Sequence, residues 1–91
     1  MYAETHYRLG HCYLKMGDTE RACESFVAAR DHDRVQARAN TPINNVLRQT
    51  VSEYAENDVI LVDSASAIAA ASTDGIPGWE NFYDCVHLQY F

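Results

Sequence analysis

The first third of the chain repeats apolar positions with the spacing of two amphipathic helices. From Tyr2 to Met16 apolar residues recur three and four positions apart, which predicts a helix with one buried face. Gly17 can supply a left-handed cap, and Asp18 can accept hydrogen bonds from the free N–H groups that open a second helix, running to about His32. The pattern therefore predicts a helical hairpin. Its apolar positions are Ala3, Tyr7, Leu9, Tyr13, Leu14, Ala22, Phe26 and Ala29.

A third helix is predicted to begin at Thr41-Pro42, with Thr41 as N-cap and Pro42 at the first helical position, where its missing donor costs nothing. Asn57-Asp58 breaks the pattern of this helix. Its apolar stripe consists of Ile43, Val46, Leu47, Val51 and Tyr54. A further, alanine-rich helix is expected over Ser64 to Ala71, followed by a loop from Ser72 to Gly78.

Between these helices, Val59 to Val62 is short, continuously apolar and mostly β-branched, which predicts a buried strand of a parallel sheet. The chain offers no second strand to pair with it, and buried backbone donors and acceptors need partners. We therefore expect a mostly α fold with one short strand whose neighbours come from a partner chain or from the rest of a larger α/β domain.

Composition excludes several classes of function. The 91 residues suit one small domain, and a net charge of -6 argues against tracking of nucleic-acid phosphates. The longest apolar runs are far shorter than the roughly 20 residues of a membrane span, and the N-terminus does not resemble a signal peptide. Three cysteines without CxxC spacing favour free thiols, but the compartment stays open.

The hairpin resembles a single tetratricopeptide repeat, and we assign it residues 1–36. Gly10 and Ala22 stand where close helix packing needs small residues. The other matching positions are Leu9, Tyr13, Gly17, Phe26 and Ala29. The departures are His6, where the pattern prefers Trp, and Arg34, where it often has Pro. The resemblance allows two interpretations: a scaffold that binds a protein partner, or a structural hairpin that supports the remainder of the chain.

Residues 37–91 resemble the C-terminal part of an SGNH (GDSL-type) hydrolase, an α/β domain of flavodoxin-like architecture. The last catalytic block of that family is an Asp followed, after two residues, by a His, as in Asp84-Cys85-Val86-His87. The resemblance also includes Arg38-Ala39-Asn40, Asn44, Arg48, Leu61-Val62-Asp63, Asp74-Gly75-Ile76-Pro77-Gly78 and Val86-His87-Leu88.

The resemblance implies that His87 is the general base and Asp84 orients it in a Ser-His-Asp triad acting on a small ester. The alternative is that Asp84 only caps a final helix that contains His87. No serine stands in a Gly-Asp-Ser or G-x-S-x-G context, so the nucleophile must lie in the remainder of the hydrolase domain or in a partner chain. We expect the chain to be inactive alone. The competing hypothesis is a non-catalytic interaction module.

Other candidate sites are weaker. His6, His11 and His32, with the run Asp31-His32-Asp33, are candidate metal ligands. His6 and His11 are five positions apart, which splits them across a helix, and consecutive side chains point in different directions, so we expect no metal site and no cofactor. Cys12 and Cys23 are interpreted as small buried thiols, and Cys85 could pair with His87 only in an unusual geometry. Asp63 could belong to a site at the end of the predicted strand, although capping of the next helix is the favoured interpretation.

Overall fold

The computed structural model describes residues 2–36, 38–78 and 80–82. These residues are mostly helical, as the sequence predicts. The helices are α1 (Ala3–Lys15), α2 (Thr19–Asp31), α3 (Thr41–Glu53) and α4 (Ser64–Ala71), with single 3₁₀ turns at Ala55–Asn57 and Thr73–Gly75.

The turn between α1 and α2 forms as predicted. Gly17 has a φ of 79°, and its N–H donates to the Leu14 carbonyl while the Asp18 N–H donates to the Tyr13 carbonyl. This pair of bonds is the Schellman arrangement, which satisfies the last carbonyls of α1. The Asp18 carboxylate then accepts from the Arg21 N–H at 3.1 Å and caps α2. Local chemistry alone thus reverses the chain direction.

Helices α1 and α2 pack closely through small residues. Gly10 and Ala22 are both buried, and Ala22 has no exposed surface. A Cβ atom on Gly10 would lie 2.7 Å from the Phe26 ring, so that ring occupies the space a side chain would need. The rings of Tyr7 and His11 meet Phe26 edge-on, with centroids 5.7 and 5.2 Å away. Close packing around Gly10, as expected from the sequence, is therefore confirmed.

The junction between α2 and α3 corrects one prediction. Asn40, and not Thr41, is the N-cap of α3, since its side chain accepts from the Ile43 N–H at 3.1 Å. The Thr41 hydroxyl instead accepts from Arg30 at 2.7 Å, and the Thr41 N–H donates to Asp31 at 2.9 Å. The hydroxyl and N–H groups of Thr41 are hydrogen-bonded to the end of α2, so Asn40 provides the N-cap and Thr41 is the first residue of α3.

The predicted strand is the second correction. Val59–Val62 is not a strand in the structure; it lies between Asp58, which has a φ of 59°, and the start of α4. The Val62 carbonyl accepts from the Ser64 N–H at 3.0 Å. No other backbone hydrogen bond joins these four residues to the described part of the chain. A strand is defined by pairing, and the apolar pattern alone cannot supply a neighbour.

The molecule is less compact than its length predicts. Its radius of gyration is 14.7 Å, against about 12 Å for a compact domain of this size. Its accessible surface is 7117 Å², about 1,800 Å² more than a folded monomer of this mass exposes. Within the described ranges, the buried residues are Gly10, Ala22 and Asn81. The hairpin is the packed part of the molecule, and the remaining helices have little covering them.

Candidate functional site

The apolar face of α3 is largely exposed, although the sequence pattern predicts a buried stripe. Val46 is 64% exposed, and the residues of this stripe that are at least half exposed are Ile43, Val46, Leu47 and Tyr54. The neighbouring segment adds Ile60 at 85% and Val62 at 84%. We use the name α3 apolar surface for these six exposed residues, which lie on α3, at its end and in the segment before α4. Apolar side chains concentrated in this way are typical of a surface that binds another polypeptide.

Beside the α3 apolar surface, α3 and the start of α4 enclose a shallow cleft of about 50 Å³. Its polar centre is the ion pair of Arg48 and Asp63. The guanidinium donates twice, from Nε to Oδ2 at 2.8 Å and from Nη2 to Oδ1 at 3.3 Å. Asp63 also accepts from the Ser66 N–H at 3.1 Å, so it caps α4 as predicted. The cleft is lined by Asn44, Leu47, Arg48, Leu61, Val62, Asp63, Ser64 and Ala65.

These contacts decide what Asp63 can do chemically. The hydrogen bonds from Arg48 and from the Ser66 N–H hold the pKa of the Asp63 carboxyl well below its usual range. The same pairing with Asp63 raises the pKa of Arg48. A carboxylate that stays ionised and is occupied on both oxygens is a poor proton donor or acceptor at neutral pH. Asp63 therefore anchors α4 to α3 and is a weak candidate for acid or base catalysis.

A second cleft, of about 180 Å³, lies between the end of α2, α3 and α4. Two guanidinium groups, those of Arg30 and Arg48, reach it. Each is already paired, since Arg30 contacts Asp31 at 3.2 Å and Arg48 contacts Asp63. Burial opposes ionisation of Asp31, but hydrogen bonds from Thr41 and Arg30 outweigh it and lower the pKa of Asp31. Each positive charge at this cleft is therefore paired with a neighbouring carboxylate.

The catalytic residues predicted from the sequence, Asp84 and His87, lie outside the described residues, as does Cys85. Asn44, Arg48 and Asp63, which the sequence analysis also singled out, all line the first cleft.

The hairpin has its own polar and aromatic surface. Tyr7 is 52% exposed, with His11 edge-on to it at 4.6 Å. Tyr13 is half-buried, with the Arg21 guanidinium 5.9 Å from its ring centre. Cys12 is exposed and Cys23 is half-buried, so the prediction of buried thiols is wrong for Cys12, which lies away from the packed face.

Sequence reasoning missed a contact between two histidines. His6, in α1, and His32, directly after α2, have ring centroids 5.0 Å apart. They are separated by most of the hairpin in sequence, so only the packing of α1 on α2 brings them together. Within the described ranges, no group of three or more His, Cys, Asp and Glu side chains is arranged to hold a metal ion.

Comparisons with known proteins add no assignment: no family model, no curated protein and no solved structure matches this chain. Among the described residues, no helix is long and apolar enough to cross a membrane.

Proposed function

We propose that this chain contributes the proton-handling part of an SGNH-type ester hydrolase, with the sheet and the nucleophilic serine supplied by further polypeptide. The observation that carries the proposal is that Val59–Val62 pairs with no strand among the described residues. These residues are apolar, and Leu61 and Val62 line the same cleft as Leu47 of α3. In the proposed domain, this helix and this apolar segment belong to an α/β layer whose sheet is supplied by further polypeptide.

The exposed apolar surface supports the same proposal. Val46, Ile60 and Val62, which are 64%, 85% and 84% exposed, are apolar side chains of the kind that such a sheet would cover. A strand added beside Val59–Val62 would supply hydrogen-bond partners for its backbone groups and place further apolar side chains next to Ile60 and Val62. The Arg48–Asp63 ion pair would then hold α3 and α4 in place at the end of that strand.

In the proposed reaction, the serine hydroxyl attacks the carbonyl carbon of a small ester. His87 takes the hydroxyl proton and passes it to the departing alcohol, while Asp84 holds the imidazole in the required tautomer. Water then attacks the acyl enzyme, and His87 handles its proton in the same way. The roles of Asp84 and His87 depend on the resemblance of the Asp84-Cys85-Val86-His87 block.

The test measures p-nitrophenyl acetate hydrolysis and serine labelling by a fluorophosphonate probe. We expect the chain alone to be inactive, and the native polypeptide or complex that contains it to be active. In that active form, His87→Ala should lower kcat about 10⁴-fold or more, as loss of a triad member does. His11→Ala is the matched control, because its imidazole lies in the hairpin, and it should retain activity. Unchanged activity of His87→Ala refutes the proposal.

A second candidate function is a non-catalytic module in which the tetratricopeptide-like hairpin binds a protein. The exposed aromatic pair of Tyr7 and His11 favours it, because aromatic side chains are enriched at binding surfaces. A photo-crosslinking residue at position 7 should capture a defined partner, and the same residue at Glu24, exposed elsewhere on the hairpin, should not. Equal capture at both positions argues against a specific hairpin surface.

A further inference from the structure

The two histidines at the open end of the hairpin have a geometry that suits a metal ion. His6 is half-buried in the second turn of α1, and His32 is the residue that ends α2. Their ring centroids are 5.0 Å apart and their planes differ by 37°. The helices that carry them are held by the packed contacts around Gly10 and Ala22, so the two rings are brought together by the best-packed part of the molecule.

The separation can be compared with that of two imidazoles on one metal ion. With a metal–nitrogen bond of about 2.1 Å and a ring radius of about 1.1 Å, each centroid lies about 3.2 Å from the metal. Two such ligands at a tetrahedral angle have centroids about 5.2 Å apart, and two at a right angle about 4.5 Å apart. The observed 5.0 Å lies between these values. The separation of the two rings therefore matches that of two imidazole ligands on one ion.

The hydrogen bonding of His32 supplies an independent observation. Its Nδ1 lies 2.8 Å from the Ala28 carbonyl oxygen. Because a carbonyl oxygen only accepts, Nδ1 carries the proton, and in the neutral ring the lone pair is on Nε2. Metal-bound histidines are characteristically oriented by this kind of contact, with the second ring nitrogen donating to a backbone carbonyl or carboxylate. The backbone thus fixes His32 in the tautomer that a metal ligand needs.

We propose that His6 and His32 form a two-imidazole site for a divalent late transition-metal ion, such as Zn²⁺ or Ni²⁺, which links α1 to the end of α2. Imidazole nitrogen suits these ions and not the oxygen-preferring Mg²⁺. In the part of the chain that the structure describes, no group of three or more His, Cys, Asp and Glu side chains is arranged to hold a metal ion, so the proposed site rests on these two imidazoles. This proposal revises the expectation from the sequence, which weighed His6, His11 and His32 and expected no metal site, and it does not depend on the proposed hydrolase.

The test uses the full chain and follows thermal unfolding by circular dichroism. At 1 mM Ni²⁺ the Tm should rise by about 6 to 11 °C, the shift expected when metal exceeds the dissociation constant about tenfold. EDTA should reverse the rise, and 1 mM Mg²⁺ should not reproduce it. The variants His6→Ala and His32→Ala should each lose the rise. His11→Ala should keep it, since that ring packs on Phe26 and Tyr7 and has no part in the pair.

A second measurement needs no variant and remains informative if a substitution unfolds the hairpin. Zn²⁺ titration followed by ¹⁵N NMR of the imidazole rings should shift the Nε2 resonance of His32 and one nitrogen of His6, and leave His11 unchanged. Two results overturn the proposal. One is a Ni²⁺ effect that persists in both variants, which assigns the metal to acidic groups; the other is absence of any shift at His6 and His32, which leaves the pair as a packing contact.

Discussion

The hairpin of α1 and α2 and the region of α3 and α4 have similar apolar patterns, but only the hairpin covers its apolar helix face. Helices α1 and α3 are both 13 residues long and about equally amphipathic. In the hairpin the apolar face meets a second helix across Gly10 and Ala22, whereas most of the α3 stripe faces solvent. Amphipathicity shows that a helix requires a partner, and it does not show that the partner is in the same chain. Substitutions in each region test this difference.

The largest effect is expected at Gly10 in the hairpin. Gly10→Val places its Cβ within 3 Å of three atoms of the Phe26 ring, so the ring or the helix must move. Overpacking of this kind lowers the free energy of unfolding by about 3 kcal/mol. Urea denaturation followed by circular dichroism measures the change.

The control for this prediction is the double variant Gly10→Val with Phe26→Ala. Removing the ring opens the space that the valine needs. The loss of unfolding free energy in the double variant should therefore be smaller than the sum of the losses in the two single variants. Additive costs would show that the α1–α2 interface does not depend on this contact.

An intermediate effect is expected at the two helix caps. Asn40→Ala removes the acceptor for the Ile43 N–H, and Asp18→Ala removes the acceptor for the Arg21 N–H. Each loss costs about 1 kcal/mol of helix stability. Because α3 is poorly covered, we expect Asn40→Ala to reduce the helical signal without lowering the unfolding midpoint, whereas Asp18→Ala should lower the midpoint. An equal shift in both variants would show that α3 is as well packed as the hairpin.

A smaller effect is expected at the ion pair that joins α3 to α4. The lowered pKa of Asp63 means that its stabilising contacts are complete above its ordinary value of 3.8 and are lost as the pH falls through the lower folded-state pKa. Arg48→Met should raise the pKa of Asp63 toward 3.8, measured by ¹³C NMR of the carboxyl group. Arg34→Met, which changes an exposed arginine in the loop after α2, should leave that pKa unchanged. If the pKa of Asp63 is the same in Arg48→Met as in the unmodified chain, the ion pair with Arg48 is not what lowers it.

The smallest effect is expected on the α3 apolar surface. In the chain alone, Leu47→Ser should change the free energy of unfolding by less than about 0.5 kcal/mol, because Leu47 is 53% exposed. The matched change Leu9→Ser, in the packed hairpin, should cost about 1 to 2 kcal/mol. If the proposed sheet covers α3, Leu47→Ser becomes costly in the active assembly, and amide hydrogen exchange at 59–62 slows there. A large loss in the isolated chain would contradict the exposed state of α3.

Several features of the fold could be predicted because they depend on neighbours within about four residues. The Gly17 turn, the caps at Asp18 and Asp63 and the full extent of α4 all follow from local hydrogen bonding and backbone preference. The exception is the cap of α3. Thr41 is engaged by Arg30 and Asp31, which stand about ten positions earlier, so a contact between helices moved the cap to Asn40.

For the candidate sites, the sequence predicted chemistry at Asp84 and His87, which lie outside the described residues, and it predicted that Asp63 caps a helix. It did not predict that Arg48 would hold that same carboxylate, nor that His6 would meet His32. Both contacts join residues far apart in the chain, and no local periodicity encodes which distant side chains become neighbours.

By itself, the sequence determined which segments are helical and where α1, α2 and α4 are capped, because each helix closes its own hydrogen bonds and these caps are close in the chain. The tertiary structure decided which apolar faces are covered, which charges pair and whether Val59–Val62 becomes a strand. These outcomes depend on surfaces that must come from another part of the molecule or from a partner. A strand in particular makes its ladder hydrogen bonds with neighbouring strands, so its sequence can favour pairing but cannot supply the neighbour.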